Sequence, residues 1–272
     1  MSRARASAKI NLALVVGPLR PDGKHEVATV LQCVDLHDDV EVEAAESLRV
    51  TGFEDDTIVG EALRELAAAA GVEPAWAVRL EKRIPVAAGL GGGSSDAATA
   101  LMLANQRLPD PLAFAELDRL AARVGADVPF FLRREPQLGL GDGTELEGLR
   151  LPLDYVVLLA LEEGAGKAST GHVYRGFDER SGADGFEERR AALASALARI
   201  ERARDLGALP PNDLASSPLA DELRRLGAFR ADVSGAGPAV YGLFEAVEAA
   251  ESAAEALRGR ASTWLTHPVA GE

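Results

Sequence analysis

Hydrophobic and polar positions alternate in the first strand-like segment of the chain, "AKINLALVV" at residues 8–16. Every second residue on one face is apolar: Ile10, Leu12, Leu14 and Val16. The opposite face begins with Lys9 and Asn11. A period of two predicts a β-strand with one buried face. We therefore expect a half-buried strand whose open face begins with an amine and an amide.

Similar patterns predict the other elements of the first half of the chain. Strands are predicted for "VATVLQCVDL" at 27–36, "DDVEVEAA" at 38–45 and "AWAVRLEKRI" at 75–84. Apolar residues at helical spacing predict helices over 57–70, 95–107 and 112–124. The "RPDG" sequence at 20–23 predicts a turn, because proline fixes φ and glycine tolerates a positive φ.

The pattern starts again near residue 151. It predicts a strand at 155–161, helices at 187–206 and 219–226, two strands flanking the turn "GAGP", a helix at 247–257 and a final strand at 262–268. The order β, α, β, β, α, β resembles a ferredoxin-like split βαβ unit. We predict an α+β protein with two lobes, residues 1–150 and 151–272.

Composition narrows the range of partners. The chain has 272 residues, 47% of them hydrophobic, and a formal net charge of −14. This acidity argues against nucleic acid or an anionic membrane as the main partner, since both require basic surfaces. The single cysteine, Cys33, rules out an internal disulfide and suits a reducing compartment. No segment has the cleavage pattern of a signal peptide or the length of a membrane span. We expect a soluble, cytoplasmic protein.

A glycine-rich segment, "PVAAGLGGGSSDAA" at residues 85–98, is the strongest chemical signal. It lacks the lysine of a Walker A loop and the third glycine of a dinucleotide fingerprint. It also runs from a strand into a helix, whereas the glycine loop of protein kinases joins two strands. None of these three phosphate loops matches.

The physics of this segment still indicates phosphate binding. Bare backbone at Gly89–Gly93 can direct several N–H groups toward one anion. A helix beginning near Ser95 adds its unpaired N–H groups and the positive end of its dipole. Ser94 and Ser95 supply hydroxyls, and one of them is a candidate helix cap. The alternative is a simple turn with a serine cap, but such a turn needs fewer glycines.

The segment resembles the phosphate loop of the GHMP kinases, which phosphorylate small alcohols with ATP. Other motifs of that family follow in its order: "AKINLAL", "RPDGKHEV", "GADVPFFL", "NDL" and "SGAGPAV". The most similar branch acts on a cytidine-diphosphate-linked methylerythritol of the non-mevalonate isoprenoid pathway. The resemblance implies an N-terminal ATP-binding lobe like ribosomal protein S5 and a C-terminal ferredoxin-like lobe. It implies these ATP-binding residues: Pro85, Val86, Ala87, Ala88, Gly89, Leu90, Gly91, Gly92, Gly93, Ser94 and Ser95.

The resemblance also assigns catalytic roles. Asp127, in "GADVP", matches the carboxylate that accepts the proton of the alcohol. Lys9 matches the residue that orients this carboxylate and offsets negative charge, and Asn11 lies near the phosphate or the reacting hydroxyl of the substrate. Spacing alone leaves non-catalytic alternatives open for both residues. Asp127 would then be a turn or helix-capping aspartate, and Lys9 a solvated lysine at a strand edge.

Substrate recognition is implied at three further positions. His25 matches a histidine that hydrogen-bonds cytosine, and Tyr174 matches an aromatic residue that stacks on the ring. The family usually has tyrosine where this chain has Lys24, which leaves the identity of the substrate less certain than the reaction class. A surface turn and a packing aromatic are the alternatives for His25 and Tyr174.

The resemblance implies ATP and Mg²⁺, with the metal ligands unassigned and Ser95 as one candidate. It implies a small cytidine-diphosphate substrate and leaves a monomer or a homodimer open. Two other functions stay open: a kinase of the same family for another small alcohol, and a nucleotide-binding regulator without catalysis.

Overall fold

A computed structural model describes residues 2–54, 58–166 and 169–269 of the chain. The fold begins with two long strands. β1 (Ser2–Leu19) pairs with β2 (His25–Ala44), and "RPDG" lies in the turn between them. The predicted strands at 27–36 and 38–45 are therefore one continuous strand. The predicted half-open face of β1 is wrong, because the strand is buried on both faces from Ala6 to Gly17.

The chain divides into two units, and β1 and β2 contribute residues to both. The first unit consists of Met1–Ala8, Leu36–Val86 and Gly91–Arg134. The second consists of Lys9–Asp35, Ala87–Leu90 and Glu135–Glu272. The assignment of residues 1–150 and 151–272 to two functional lobes stays a prediction.

The first unit packs helices around one buried helix. Its elements after β2 are β3 (Arg49–Thr51), α1 (Ile58–Ala70), β4 (Trp76–Glu81), α2 (Gly92–Asn105), α3 (Phe114–Val124) and α4 (Val128–Arg133). β4 runs antiparallel to the end of β2 and parallel to β3. Helix α2 is buried from Ser95 to Leu101 without a break. Its alanine, serine and threonine residues allow the close approach of α1 and α4, which both pack on it.

The second unit contains the remaining elements. These are β5 (Gln137–Leu140), β6 (Glu145–Gly148), β7 (Val156–Glu162), α5 (Thr170–Glu179), α6 (Phe186–Leu197), a 3₁₀ helix (Ala203–Ala208), α7 (Pro218–Arg225), β8 (Arg230–Val233), β9 (Val240–Phe244), α8 (Val247–Ala256) and β10 (Ala261–Thr266). One sheet has the antiparallel order β10-β7-β9-β8. Numbered from β7, this is the order 4-1-3-2 of the predicted split βαβ unit, which is confirmed.

Two predicted helices need correction, and one helix was missed. The helix predicted at 187–206 is two elements: α6 ends at Leu197, and the 3₁₀ helix that begins at Ala203 has its own cap, the Asp205 carboxylate, which accepts hydrogen bonds from the backbone N–H groups of Glu201 and Arg202. Helix α5 was not predicted, since Gly171 and Gly176 weaken its helical signal. Thr57, the first residue of the helix predicted at 57–70, lies outside the described residues, and α2 begins at Gly92 instead of 95.

A small apolar cluster joins α5 to β1 and β2. Phe177 of α5 is 1% exposed and packs with Leu14, Val16, Val27 and Leu214. Tyr174 packs against the edge of this cluster. The cluster fixes the face of α5 that carries Tyr174 and Asp178 beside the start of β2.

Candidate active site

The glycine-rich segment leads directly into α2. Gly89 and Gly91 have φ values of +84° and +73°, which disfavour any residue with a Cβ. Gly91 is the N-cap of α2, so neither Ser94 nor Ser95 caps the helix as proposed from the sequence. Gly92 and Gly93 lie in the first helical turn, where N–H groups have no partner within the helix. The N–H groups that an anion would use therefore start about one turn earlier than the sequence pattern indicates.

The other predicted loop residues differ in exposure. Val86 is 58% exposed, whereas Ala88 and Leu90 are buried. Ser95 is 1% exposed and Ser94 is half-buried. Pro85 is half-buried, and Ala87 has a positive φ of 60° without being glycine. Positive φ in a non-glycine residue is uncommon and costs free energy, which is typical of functional loops.

Residues Ala88–Leu90 are held by backbone contacts within the second unit. The amide of Lys9 donates to the Leu90 carbonyl at 2.9 Å, and the amide of Ala239 donates to the Ala88 carbonyl at 2.9 Å. The Ser234 hydroxyl donates to the Gly89 carbonyl at 3.0 Å. A Cβ on Gly89 would lie 2.3 Å from the Ser234 carbonyl oxygen, so glycine is required here by packing as well as by φ.

Lys9 and Asn11 form the head of a buried hydrogen-bond chain. The Lys9 ammonium donates to Asn11 Oδ1 at 2.6 Å, and Asn11 Nδ2 donates to Thr29 Oγ1 at 2.8 Å. The Thr29 hydroxyl in turn donates to the Ala13 carbonyl at 2.8 Å. Lys9 is 4% exposed and Asn11 is 5% exposed. The predicted shared face of Lys9 and Asn11 is confirmed, and a solvated lysine at a strand edge is excluded.

The turn between β8 and β9 covers this pair. A Cβ on Gly235 would lie 3.3 Å from Lys9 Nζ and 3.4 Å from Asn11 Oδ1. Asn212, from the "NDL" motif, donates to the carbonyls of Val233 at 2.9 Å and Gly235 at 2.7 Å. The motifs "NDL" and "SGAGPAV" therefore position the backbone beside Lys9. The order of these two motifs in the sequence indicated the family, but it did not predict that they lie beside Lys9.

Asp127 precedes α4 in the first unit. It occupies the N-cap position with φ −84° and ψ −13°, but its side chain makes no capping hydrogen bond. The residue is half-buried. The capping alternative is therefore not observed, and α4 packs on α2, the helix that follows the glycine-rich segment.

Lys24 makes an ion pair that the sequence pattern did not predict. Its ammonium lies 2.5 Å from Asp142 Oδ2, in the turn between β5 and β6. Burial would raise the pKa of Asp142, but hydrogen bonds from Lys24 and Thr144 outweigh it and lower the pKa to about 2. The Lys24 side chain is 52% exposed, so the pair adds little to stability.

We expect the pKa of Asp142 to rise above about 2, toward its ordinary 3.8, in Lys24→Met, because a charged donor is lost. The ionised carboxylate stabilises the folded protein above pH 3.8, and this contribution disappears as the pH falls toward 2. The free energy of unfolding of Lys24→Met should therefore fall less than that of the wild type between pH 3.8 and about 2. A carboxyl NMR titration measures the pKa, with Lys24→Arg as the charge-conserving control. An unchanged pKa in Lys24→Met would refute the assignment.

His25 lies in an aromatic pocket at the start of β2. Its ring stacks on Tyr174 with centroids 4.8 Å apart, and it meets the Phe177 ring edge-on with centroids 5.9 Å apart. Its Nε2 is 2.8 Å from Asp178 Oδ1. The structure thus brings the predicted residues His25 and Tyr174 together, and Lys24 is turned toward Asp142.

A buried charged cluster in the first unit was missed by the sequence analysis. The Lys82 ammonium lies 2.5 Å from a carboxylate oxygen of both Asp38 and Asp96. Burial would lower the pKa of Lys82, but Asp96 and Asp38 raise it above its ordinary value. Asp38 Oδ1 also accepts the amide of Ile84 at 2.8 Å. The cluster ties the chain after β4 to the first turns of α2.

Within residues 2–54, 58–166 and 169–269, no three or more histidine, cysteine or acidic side chains are grouped to hold a metal ion. In the same residues, no helix is long and apolar enough to cross a membrane.

Comparisons with known proteins agree with these motifs. Residues 57–135 match the model of the GHMP kinases N terminal domain, and residues 183–262 match that of the GHMP kinases C terminal domain. A 4-diphosphocytidyl-2-C-methyl-D-erythritol kinase of Desulfitobacterium hafniense is 37% identical, and the alignment covers 96% of this chain and 94% of the relative.

Solved structures show the same fold. A crystal structure of 4-(cytidine 5'-diphospho)-2C-methyl-D-erythritol kinase superimposes with a TM-score of 0.79 and 32% identity, covering 99% of this chain and 100% of the other. A mevalonate kinase superimposes equally well, with a TM-score of 0.80 and coverage of 99% and 100%. Its identity is only 15%, so that likeness shows the fold alone.

Proposed function

Since the chain belongs to the GHMP kinase family, we propose that it transfers a phosphoryl group from ATP to a hydroxyl of 4-diphosphocytidyl-2-C-methyl-D-erythritol. The similarity to the Desulfitobacterium hafniense kinase over 96% of the chain is the observation that carries this proposal. Phosphoryl transfer depends mainly on positioning and charge stabilisation, so few side chains need special chemistry. The reaction would belong to the non-mevalonate isoprenoid pathway.

Asp127 is the proposed proton acceptor. A carboxylate that takes the hydroxyl proton makes the alcohol a better nucleophile. Its half-buried position, directly before α4 in the motif that resembles the family's catalytic turn, supports this assignment.

Lys9 is the proposed electrostatic partner of the reaction. A buried ammonium stabilises negative charge more strongly than an exposed one, because the local dielectric is lower. Asn11 and Thr29 hold Lys9 in one orientation through the hydrogen bonds at 2.6 Å and 2.8 Å. Asn11 is also proposed to contact the substrate near its reacting hydroxyl or phosphate.

The glycine-rich segment is the proposed phosphate site of ATP. Gly91 as the N-cap, with Gly92 and Gly93 in the first turn of α2, presents backbone N–H groups without side chains in the way. Mg²⁺, when bound with ATP, neutralises charge on the phosphates. Such ions keep several waters and need only one or two protein ligands. Ser95 stays a candidate ligand.

The cytidine end of the substrate is proposed to lie beside His25 and Tyr174. Their contact at 4.8 Å supports a common role in recognising a planar base. Lys24 is also proposed to line this site. The cytoplasmic location and the choice between monomer and homodimer stay predictions.

Lys24→Tyr is expected to lower the KM for the cytidine substrate and leave kcat unchanged. A tyrosine adds a stacking face worth about 1 kcal/mol, roughly fivefold in KM. The lost pair with Asp142 is half-exposed and offsets little of this gain. Steady-state kinetics at saturating ATP compare the two proteins. A higher KM in the tyrosine variant would mean that Lys24 itself contacts the substrate.

A kinase of another small alcohol is the second candidate function, favoured by Lys24 at a position where the family usually has tyrosine. Thermal unfolding distinguishes the two, because only a bound ligand raises the melting temperature. We expect cytidine diphosphate to raise it, and mevalonate and homoserine to leave it unchanged. A shift with mevalonate alone would favour the second candidate. A non-catalytic regulator would bind nucleotide without consuming ATP.

A further inference from the structure

The hydrogen bond between His25 and Asp178 affects how His25 can recognise a base. This inference rests on the proposed function. Nε2 of His25 lies 2.8 Å from a carboxylate oxygen. An ionised carboxylate has only acceptors, so the proton of this bond must be on Nε2. When the imidazole is neutral, its other nitrogen, Nδ1, is then an acceptor.

The plane of the imidazole is set by its aromatic neighbours. The stacked Tyr174 and the edge of Phe177 enclose the imidazole, whose side chain is only 7% exposed. Within residues 2–54, 58–166 and 169–269, the structure contains no hydrogen bond to Nδ1. Asp178 is 50% exposed, so its bond contributes little to the stability of the fold. Its distinct effect is to fix which nitrogen carries the proton.

We propose that Asp178 is a positioning residue that keeps Nδ1 of His25 as a hydrogen-bond acceptor and thereby selects a pyrimidine with an exocyclic amine. Cytosine carries an N4 amino donor that an acceptor can bind. Uracil carries a carbonyl oxygen at the same position, and two acceptors facing each other leave both without a partner. Sites built on such pairing reject the mismatched analogue strongly. Asp178 thus acts through His25, without touching the base.

The experiment compares kcat/KM for the cytidine substrate and its uridine analogue in wild type and three variants. Asp178→Ala removes the acceptor, and we expect the cytidine preference to fall about tenfold, as for other residues that orient a functional histidine. Asp178→Asn can donate to Nε2 and so permits a proton on Nδ1, which favours uridine further. Asp178→Glu keeps a carboxylate and should restore most of the preference. Glu179→Gln, an exposed carboxylate on the same helix, is the charge control and should leave the ratio unchanged.

The ratio separates this role from a structural one. A loss of packing or of folded protein lowers kcat/KM equally for the cytidine and uridine substrates. The ratio of the two kcat/KM values then stays constant, and that result would overturn the proposal. The change should lie in KM, because the base is separated from the reacting hydroxyl by the diphosphate.

The position of the proton is tested without turnover by ¹⁵N NMR of His25 in the ligand-free protein. We expect the proton on Nε2 in wild type, and a mixture of tautomers in Asp178→Ala. A proton on Nδ1 in neutral wild-type His25 would overturn the proposal. Failure of the wild type to use the cytidine substrate would refute the proposed function, and the NMR result would still decide the role of Asp178.

Discussion

Asp127→Asn is expected to lower kcat by about 10²-fold or more and to leave ATP binding intact. The amide has nearly the shape of the carboxylate, but it cannot accept the proton of the alcohol. The Asp127 side chain makes no capping hydrogen bond, so the substitution does not remove a cap from α4. Single-turnover kinetics with saturating ATP measure the chemical step, and nucleotide titration measures binding.

Asp110→Asn is the matched control for this experiment. Asp110 is an exposed carboxylate of the same unit, so its loss changes the net charge equally. The control should keep the wild-type kcat. If Asp127→Asn also turned over at the wild-type rate, Asp127 would not be the proton acceptor.

Gly89→Ala is expected to destabilise the protein and raise the KM for ATP. A φ of +84° costs an alanine about 1–2 kcal/mol. The new methyl group would also collide with the Ser234 carbonyl oxygen at 2.3 Å, which adds about 1–3 kcal/mol as the backbone moves. That movement displaces the segment that leads to Gly91 and α2. Chemical denaturation measures the free energy of unfolding, and steady-state kinetics measure the KM.

Gly259→Ala separates the two causes. Gly259 has a φ of +75°, but a Cβ there would meet no atom within 4 Å. The free energy of unfolding of this control should fall only by the cost of a positive φ for alanine, and its KM for ATP should equal that of the wild type. Equal effects of the two substitutions would show that the Ser234 contact does not constrain the loop.

Local patterns predicted most of the fold because they depend on near neighbours. The alternation around Ile10, the helix ending at Ala70 and the βαββαβ order of the C-terminal half all follow from the periodicity of apolar residues. The start of α2 was misplaced, since glycine has low helix propensity and Gly91 caps the helix through a left-handed conformation. Both faces of β1 are buried, which an alternating pattern does not reveal.

The site was predicted less completely, because its contacts join residues far apart in the chain. His25 and Asp178 are 153 positions apart, and Lys24 and Asp142 are 118 positions apart. No spacing rule links such pairs. The resemblance supplied Lys9, Asn11 and the motif that contains Asn212, but the hydrogen bonds by which Thr29 and Asn212 hold the surroundings of Lys9 are seen only in the folded chain.

Steady-state kinetics with purified protein, ATP and three alcohols test the central claim most directly. The alcohols are 4-diphosphocytidyl-2-C-methyl-D-erythritol, mevalonate and homoserine, and ³¹P NMR identifies the phosphorylated product. We predict a new phosphomonoester on the cytidine compound, with kcat/KM at least about 10²-fold above the other two. A preference for mevalonate or homoserine, or ATP consumption with none of the three, would contradict the proposed function.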